Sequence, residues 1–369
     1  YDGAGNCVRE VDELGNINDY AYDVWSRLIS NTLPDRTRVL HTYLPHSTEP
    51  LPTRIEVIHG ANLKRVIGEQ TFDGLGRTTS STVGSRVQTL SYKEGQTQVC
   101  KRETLKKQPI SYAYDFNLTS SPRQMISQEE TATFEYDPRS ALLTQVTTTE
   151  GVRKYIYNQS QQLLEDTWID TNGTTLPTYY TSTLQGRQLS RTTVINNINT
   201  TSTCDYYADG RLHLMTQGVL KAEYIYDTLG RLSLTTTTDT QSGAVLVTAI
   251  EYDHSDQETK RTITLNNQPP RVITQTWGIS GLLETRVLEH DGCSLLAEHF
   301  NYDNRGRLIE HQCQGETLPK DEYGQGIRSQ LFFFDGLDNI TERFTTFDDD
   351  TTDDAIFSYQ TDDPCQLLS

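Results

Sequence analysis

The sequence predicts an all-β fold: repeated antiparallel β-hairpins joined edge to edge into a long wound sheet. Three observations carry this. A short motif recurs, made of an aromatic residue, Asp, two variable residues, Gly, Arg or Asn, and usually an apolar residue. Its copies return at a period in the low twenties, which is two strands of ordinary length with their turns. Between copies, aromatic and Thr residues recur at every second position, the period of a strand.

The clearest copies are Tyr226-Asp227-Thr228-Leu229-Gly230-Arg231-Leu232, Tyr1-Asp2-Gly3-Ala4-Gly5-Asn6, Phe72-Asp73-Gly74-Leu75-Gly76-Arg77 and Tyr302-Asp303-Asn304-Arg305-Gly306-Arg307-Leu308. Looser copies begin at Val11, Tyr22 and Phe334, and one beginning at Tyr206 has moved its acid to Asp209. Degenerate copies start at Tyr114, Tyr136, Tyr157 and Tyr252, and residues 277–283 are a decayed one. Each residue type has a local reason. The aromatic closes a strand and offers a face for burial. Asp bonds the N–H two residues on and starts a turn. Gly supplies the positive φ of a tight corner. Arg and the apolar residue begin the return strand. Each copy therefore reads as a hairpin corner, and the motif residues read as scaffold.

Along the chain, residues 1–30 carry three copies spaced 10 and 11 apart, half the later period, so the first hairpins are short. A Pro-rich stretch at about 31–53 reads as a connector, because Pro45, Pro50 and Pro52 disfavour a central strand. Residues 72–165 alternate clearly, as in Thr131-Ala132-Thr133-Phe134-Glu135-Tyr136. Residues 101–107 and 159–166 have some helical promise but no apolar stripe, and read as strand and turn. Residues 166–369 continue with Thr-rich strands, an extra turn at 323–326 and an acidic hairpin loop at 348–354. That loop lacks the order and the distal Glu of a calcium-binding hand and reads as a solvated turn. The chain opens in mid-motif and ends on an apolar run, residues 365–368, so both terminal strands are expected to present unpaired edges.

Composition bounds the rest. Hydrophobic residues are 34 % of the 369, low for a compact globule, yet there are 20 Tyr. These favour a half-buried pleated surface over a thick core. No apolar run approaches the roughly 20 residues of a spanning helix. The net charge of −18 opposes nucleic-acid binding. Six cysteines at 7, 100, 204, 293, 313 and 365 form no Cys-x-x-Cys pair, which argues against zinc and for reduced cysteines after folding in the cytoplasm.

With these motifs the chain resembles the YD-repeat, or RHS-repeat, proteins over nearly all of its length, so 1–369 is taken as one repeat region of a larger chain. Within that family it resembles the B component of bacterial insecticidal Tc toxin complexes. The stretches that carry the narrower resemblance are residues 42–47, 66–77, 335–341 and 363–367. The resemblance implies a secreted virulence assembly. In it, B and the amino-terminal part of the C component form a hollow β shell. The shell encloses the cytotoxic C-terminal region of C until it enters the A-component channel. The implied partners are the C component, as shell partner and cargo, and the A component through the rest of the parent chain. The repeat region of C itself is an alternative, as is a glycan-binding module that stacks its tyrosines on sugar rings.

Catalytic signatures are absent: no Gly-x-Ser-x-Gly, no His-Glu-x-x-His and no phosphate-binding Gly-Lys-Ser/Thr. His290-Asp291 and His311 beside Glu310 have no recognisable nucleophile. The expectation is a non-enzymatic wall with no cofactor and no metal. Its inner face is expected to be hydrophilic, since an apolar lining would hold a cargo that must leave. If Gly230 and Gly306 take positive φ, Gly→Val at either should cost at least about 1 kcal/mol in denaturant unfolding. Parental stability in both variants would remove the corner reading.

Overall fold

The computed structural model describes residues 1–60, 63–104 and 106–368, so Leu105 and Ser369, which fall within stretches discussed above, lie outside the described residues. Among the described residues there are thirty strands and no helix. The described pairings are antiparallel and join strands adjacent in the chain. No helix is long and apolar enough to cross a membrane.

The chain divides into two units, Tyr1–Thr89 with Glu251–Arg261 and Arg271–Ser369, and Leu90–Ile250 with Thr262–Pro270. The second unit is a meander running from the strand Val99–Glu103 to the strand Val245–Tyr252. Cross-strand Thr pairs run through it: Thr181 with Ser190, Thr192 with Thr201 and Thr203 with Thr216 touch hydroxyl to hydroxyl at 2.6–2.9 Å. These pairs explain the Thr content, because a β-branched residue suits the pleat and its hydroxyl finds a partner across the strand.

The first unit holds two runs of hairpins, Arg9–Val11 to Arg86–Tyr92 and Arg271–Trp277 to Thr352–Ile356. Its early hairpins are short, with corners at Asp12 and Asp23. The Pro-rich connector is narrower than 31–53. Leu28–Thr32 and Arg38–Tyr43 are paired strands, and Pro52 opens the strand Pro52–His59, a first position where a proline is tolerated. Apart from the tight turn at 33–37, only residues 44–51 remain outside strands. They wrap Arg27, which donates to the carbonyls of Ser47 (2.6 Å) and Glu49 (3.4 Å) and lies over the rings of Trp25 and Tyr43.

The two runs are clasped by side chains far apart in sequence. Arg305 donates to Asp35 (3.1 Å), to the Gly336 carbonyl (3.2 Å) and to Asp338 (2.9 Å). Arg307 donates to the Asp335 carbonyl (2.9 Å) and to Asp338 (3.0 Å). Gly336 lies against His59, whose Nδ1 meets the Thr37 hydroxyl at 2.7 Å.

The end of the chain is also tied down, contrary to the unpaired edge expected there. Tyr359 and Leu367 form an antiparallel bridge, Asn339 donates to the Pro364 carbonyl (2.9 Å), and Asp363, 1 % exposed, forms an ion pair with Arg86. The sequence could not show this, because the partners of Asp363 and Asn339 are set by tertiary contacts outside the repeat pattern.

Burial is shallow. Among the described residues only Val57, Ala132, Cys313 and Phe347 are buried hydrophobic positions, while Arg27, Glu56, Asp166, Glu298 and Asp363 are buried charges. The accessible surface is 22947 Å² for 41.9 kDa. A compact globule of that mass leaves about 15,000 Å², and two separate globules of half the mass leave about 18,000 Å². The sheet is therefore wetted on both faces, as the composition suggested.

A Cβ at Gly336 would sit 2.4 Å from the His59 Cβ, whereas one at Gly3 meets nothing within 4 Å. Gly336→Ala should cost about 1–3 kcal/mol by overpacking, and Gly3→Ala should stay within about 0.5 kcal/mol of parent. Urea melts of the two variants measure this.

Candidate functional site

The repeated corner is the most developed local structure. Tyr226 ends the strand Leu220–Tyr226. Asp227 Oδ1 accepts the N–H groups of Leu229 and Arg231, both at 2.9 Å, and Oδ2 accepts Arg231 Nε at 2.7 Å. The Asp227 N–H donates to the Arg231 carbonyl (2.8 Å), and the Gly230 N–H, at φ +87°, donates to the Asp227 carbonyl (3.0 Å). Tyr226 then faces Leu232 across a register shift that leaves Ser233 as an extra residue, whose hydroxyl donates to the Ile225 carbonyl (3.1 Å). One side chain thus holds the whole turn, and a bulge follows it.

The other clear copies repeat this geometry. Phe72 ends its strand, Asp73 accepts from the N–H of Leu75 and Arg77 and from Arg77 Nε (2.7 Å), and Gly76 has φ +73°. Tyr302 ends its strand, Asp303 accepts from the N–H of Arg305 and Arg307 and from Arg307 Nε (2.7 Å), and Gly306 has φ +77°. At the first copy Asp2 accepts from Ala4, Asn6 and the Asn6 amide, and Gly5 has φ +86°, but Tyr1 is exposed and ends no strand. The positive-φ position does not demand glycine: Ser26, Asp256 and Asp338 occupy it elsewhere at φ 60–67°.

Contacts between successive copies were not legible in the motif. In several places a ring that follows one corner donates to the carbonyl six residues after the ring position of the corner before. Tyr43 reaches Leu28 (2.8 Å), Tyr206 reaches Gln188 (2.7 Å), Tyr226 reaches Leu212 (3.0 Å), Tyr302 reaches Leu283 (3.0 Å) and Tyr359 reaches Ile340 (2.8 Å). Trp277 does the same to Glu258 through its indole N–H (2.8 Å). The Arg of one copy also lies over the ring of the next: Arg27 over Tyr43, Arg211 over Tyr226 and Arg307 over Phe334, at 4.4–4.9 Å. A Cβ at Gly230 would press on the Arg211 guanidinium at 3.2 Å. The motif glycine therefore also makes room for the previous arginine.

Glu310 is engaged by Asn301 (2.7 Å) and Gln312 (2.6 Å), while His311 turns to Glu298 on the neighbouring strand. His290 ends its strand, and Asp291 lies in the turn after it. In the acidic loop Asp350 pairs with Arg328, and Asp349 accepts from the Thr351 N–H (3.0 Å). Among the described residues Glu298, His311 and Cys313 are a group of possible metal ligands. Arg286 and His311 hold the Glu298 carboxyl below the usual carboxylate range despite its desolvation, and burial pushes the Cys313 thiol up to about 11. A protonated, buried thiol is not a nucleophile at neutral pH.

Corner and pairing together define a class: an antiparallel array of β-hairpins with a repeated corner centred on one Asp. Solved structures that share this fold include Tc toxins. The chain matches the Photorhabdus luminescens Tc holotoxin pore with a TM-score of 0.65 at 13 % identity, over 95 % of this chain and 22 % of that one. It matches TcdB2-TccC3 with a TM-score of 0.65 at 13 % identity, over 98 % of this chain and 24 % of that one. It matches TcdB2-TccC3 without the hypervariable C-terminal region with a TM-score of 0.65 at 12 % identity, over 99 % and 24 %. The chain thus spans about a quarter of the length of these structures. No protein-family model and no curated protein sequence matches it.

Asp303 tests the corner. Asp303→Ala removes the acceptor of two N–H groups and a guanidinium and should cost about 1–3 kcal/mol. Asp303→Asn keeps one oxygen for the N–H groups and should cost less. Burial pushes the Asp303 carboxyl up, but the Arg307 side chain and the corner N–H groups pull it below its ordinary value. Its charge-dependent stabilisation is therefore full above the unfolded pKa of about 3.9 and is lost as pH falls through the lower folded value. The gap between parent and Asp303→Asn in urea should close in acid; a gap constant from neutral pH to pH 2 would contradict this account.

Proposed function

We propose that the protein is a wall segment of a hollow β shell that encloses the cytotoxic C-terminal region of a Tc toxin C component before translocation. The observation that carries this reading is a sheet with shallow burial, with four buried hydrophobic positions among the described residues. Such a wall can touch a folded or unfolded cargo without a dry apolar surface that would retain it. The fold likeness supports the same reading, because it persists to a structure without the hypervariable region, so its likeness lies outside that region. The role is structural and not catalytic. The protein is released as part of a toxin complex after folding in the bacterial cytoplasm, in keeping with six cysteines that are all free. The C component is its shell partner and cargo, and the A-component channel is reached through the assembled complex.

Since the matched structures include TcdB2-TccC3, the repeat region of the C component is the second reading. Photo-crosslinking tests both. A photoreactive residue is placed in turn at each position of the strand Leu232–Asp239, whose successive side chains face opposite sides, and the protein is co-expressed with a B-component and a C-component polypeptide. Crosslinks to the C-terminal region of that polypeptide are expected at alternate positions only. Crosslinks at no position would overturn the wall reading, and capture of a B component in place of C would favour the second.

A further inference from the structure

We infer that Glu298, His311 and Cys313 form a binding site for a divalent transition-metal ion, with zinc the best fitted. His311 and Cys313 stand two apart on the strand Leu308–Gln314 and so share a face, and Glu298 is the register partner of Cys313 on the strand Cys293–Tyr302. His311 Nε2 lies 3.1 Å from Glu298 Oε1 and 3.3 Å from Cys313 Sγ, and the three ligand atoms fall within 4.8 Å of one another. Zinc bonds of about 2.0–2.3 Å at tetrahedral angles place such atoms about 3.4–3.6 Å apart. The two short separations therefore need to open by only a few tenths of an ångström.

Hydrogen bonding alone leaves this group unsatisfied. A protonated Nε2 donates to Glu298 and has no lone pair for the thiol. A bare Nε2 accepts from the thiol and has no proton for Glu298. In either tautomer one of the two close contacts is met at best weakly, by a proton shared with the poorly accepting sulfur, whereas a cation between the three atoms meets all of them. The donor set of thiolate, imidazole and carboxylate selects zinc over the oxygen-seeking calcium and magnesium.

The surroundings are built for ligation. Glu298 is 3 % and Cys313 1 % exposed, so the site is shielded. Arg286 grips the carboxylate (Nε to Oε2 2.5 Å, Nη2 to Oε1 2.9 Å), and Phe300 stacks on the His311 ring with centroids 4.8 Å apart and planes 5° apart. These neighbours fix both ligands in place. A cavity of about 530 Å³ lined by Cys313, Glu316, Lys320 and Asp348 adjoins the site and can supply water as the fourth ligand. Binding exchanges the thiol proton for the metal, with one proton released and the imidazole proton on Nδ1. Two metal charges meet one thiolate and one carboxylate, so the Arg286 cation leaves the loaded site at +1. That excess lowers its affinity relative to a site without the arginine.

The test is cobalt titration of the purified protein. One equivalent of Co²⁺ should give a thiolate-to-metal charge-transfer band in the near ultraviolet and visible bands of tetrahedral intensity, both displaced by Zn²⁺. Cys313→Ser should abolish the charge-transfer band, and His311→Ala should weaken binding at least tenfold, roughly the loss seen when metal-site support is removed. Cys204→Ser should change nothing. Circular dichroism confirms that each variant is folded. X-ray absorption of the zinc-loaded parent, which depends on no variant, should show one sulfur among nitrogen and oxygen neighbours. Absence of cobalt bands in folded parent protein, bands that survive both substitutions, or a zinc shell without sulfur would each overturn the site.

Discussion

The hydrogen bond from a motif ring to the carbonyl of the copy before it is the contact on which the array depends. A hairpin by itself is marginal in water, and this sheet buries too little apolar surface to compensate. Where the ring is Tyr or Trp, as at Tyr226 and Trp277, the ring contact ties the corner to its predecessor. It satisfies a carbonyl beside the corner's register shift, where the ladder is disrupted. The arginine that closes one turn covers the ring of the next, so a side chain that shapes its own corner also orients its neighbour. Stability is thus assembled from local polar contacts, as expected of a repeat protein whose units interact with their neighbours.

The same economy explains the charge distribution. The chain has 50 acidic and 32 basic residues. Corner acids such as Asp73, Asp227 and Asp303 are each bound to an arginine of their own turn. In Asp73 the arginine hydrogen bond is the foremost cause of its lowered pKa, whereas in Asp303 burial is larger but is outweighed. The excess acids lie on strands and loops, where hydration is retained. An acidic, hydrated sheet repels chains of its own kind and favours solubility despite the exposed leucines at corner tips, such as Leu75, Leu184 and Leu229.

Much of this was legible because hairpin corners are local. Asp and Gly each act within five residues, so the sequence shows their turn directly. The strand periodicity was legible for the same reason. The Pro-rich stretch was overread as a loop, since Pro52 at the first position of a strand costs no ladder bond. The clasp of Asp35 with Arg305, the burial of Asp363 and the meeting of Glu298 with His311 depend on which strands become neighbours. Nothing in the spacing of those residues encodes that. Trp277 illustrates the middle case: its copy lacks the acid, yet it keeps a ring N–H that makes the contact to the preceding copy.

The positive-φ corner position held by Gly230 in one copy is held by Ser26, Asp256 and Asp338 in others. Because each corner answers to its immediate neighbour, a lost glycine or a migrated acid, as at Asp209, leaves a local defect that the next copy confines. Mutational drift can then proceed copy by copy, each erasing its own part of the signature while the ladder persists. A chain of this construction can retain a backbone in common with structures only 12–13 % identical to it. Strand order and corner shape can thus be held in common where the residues themselves are not.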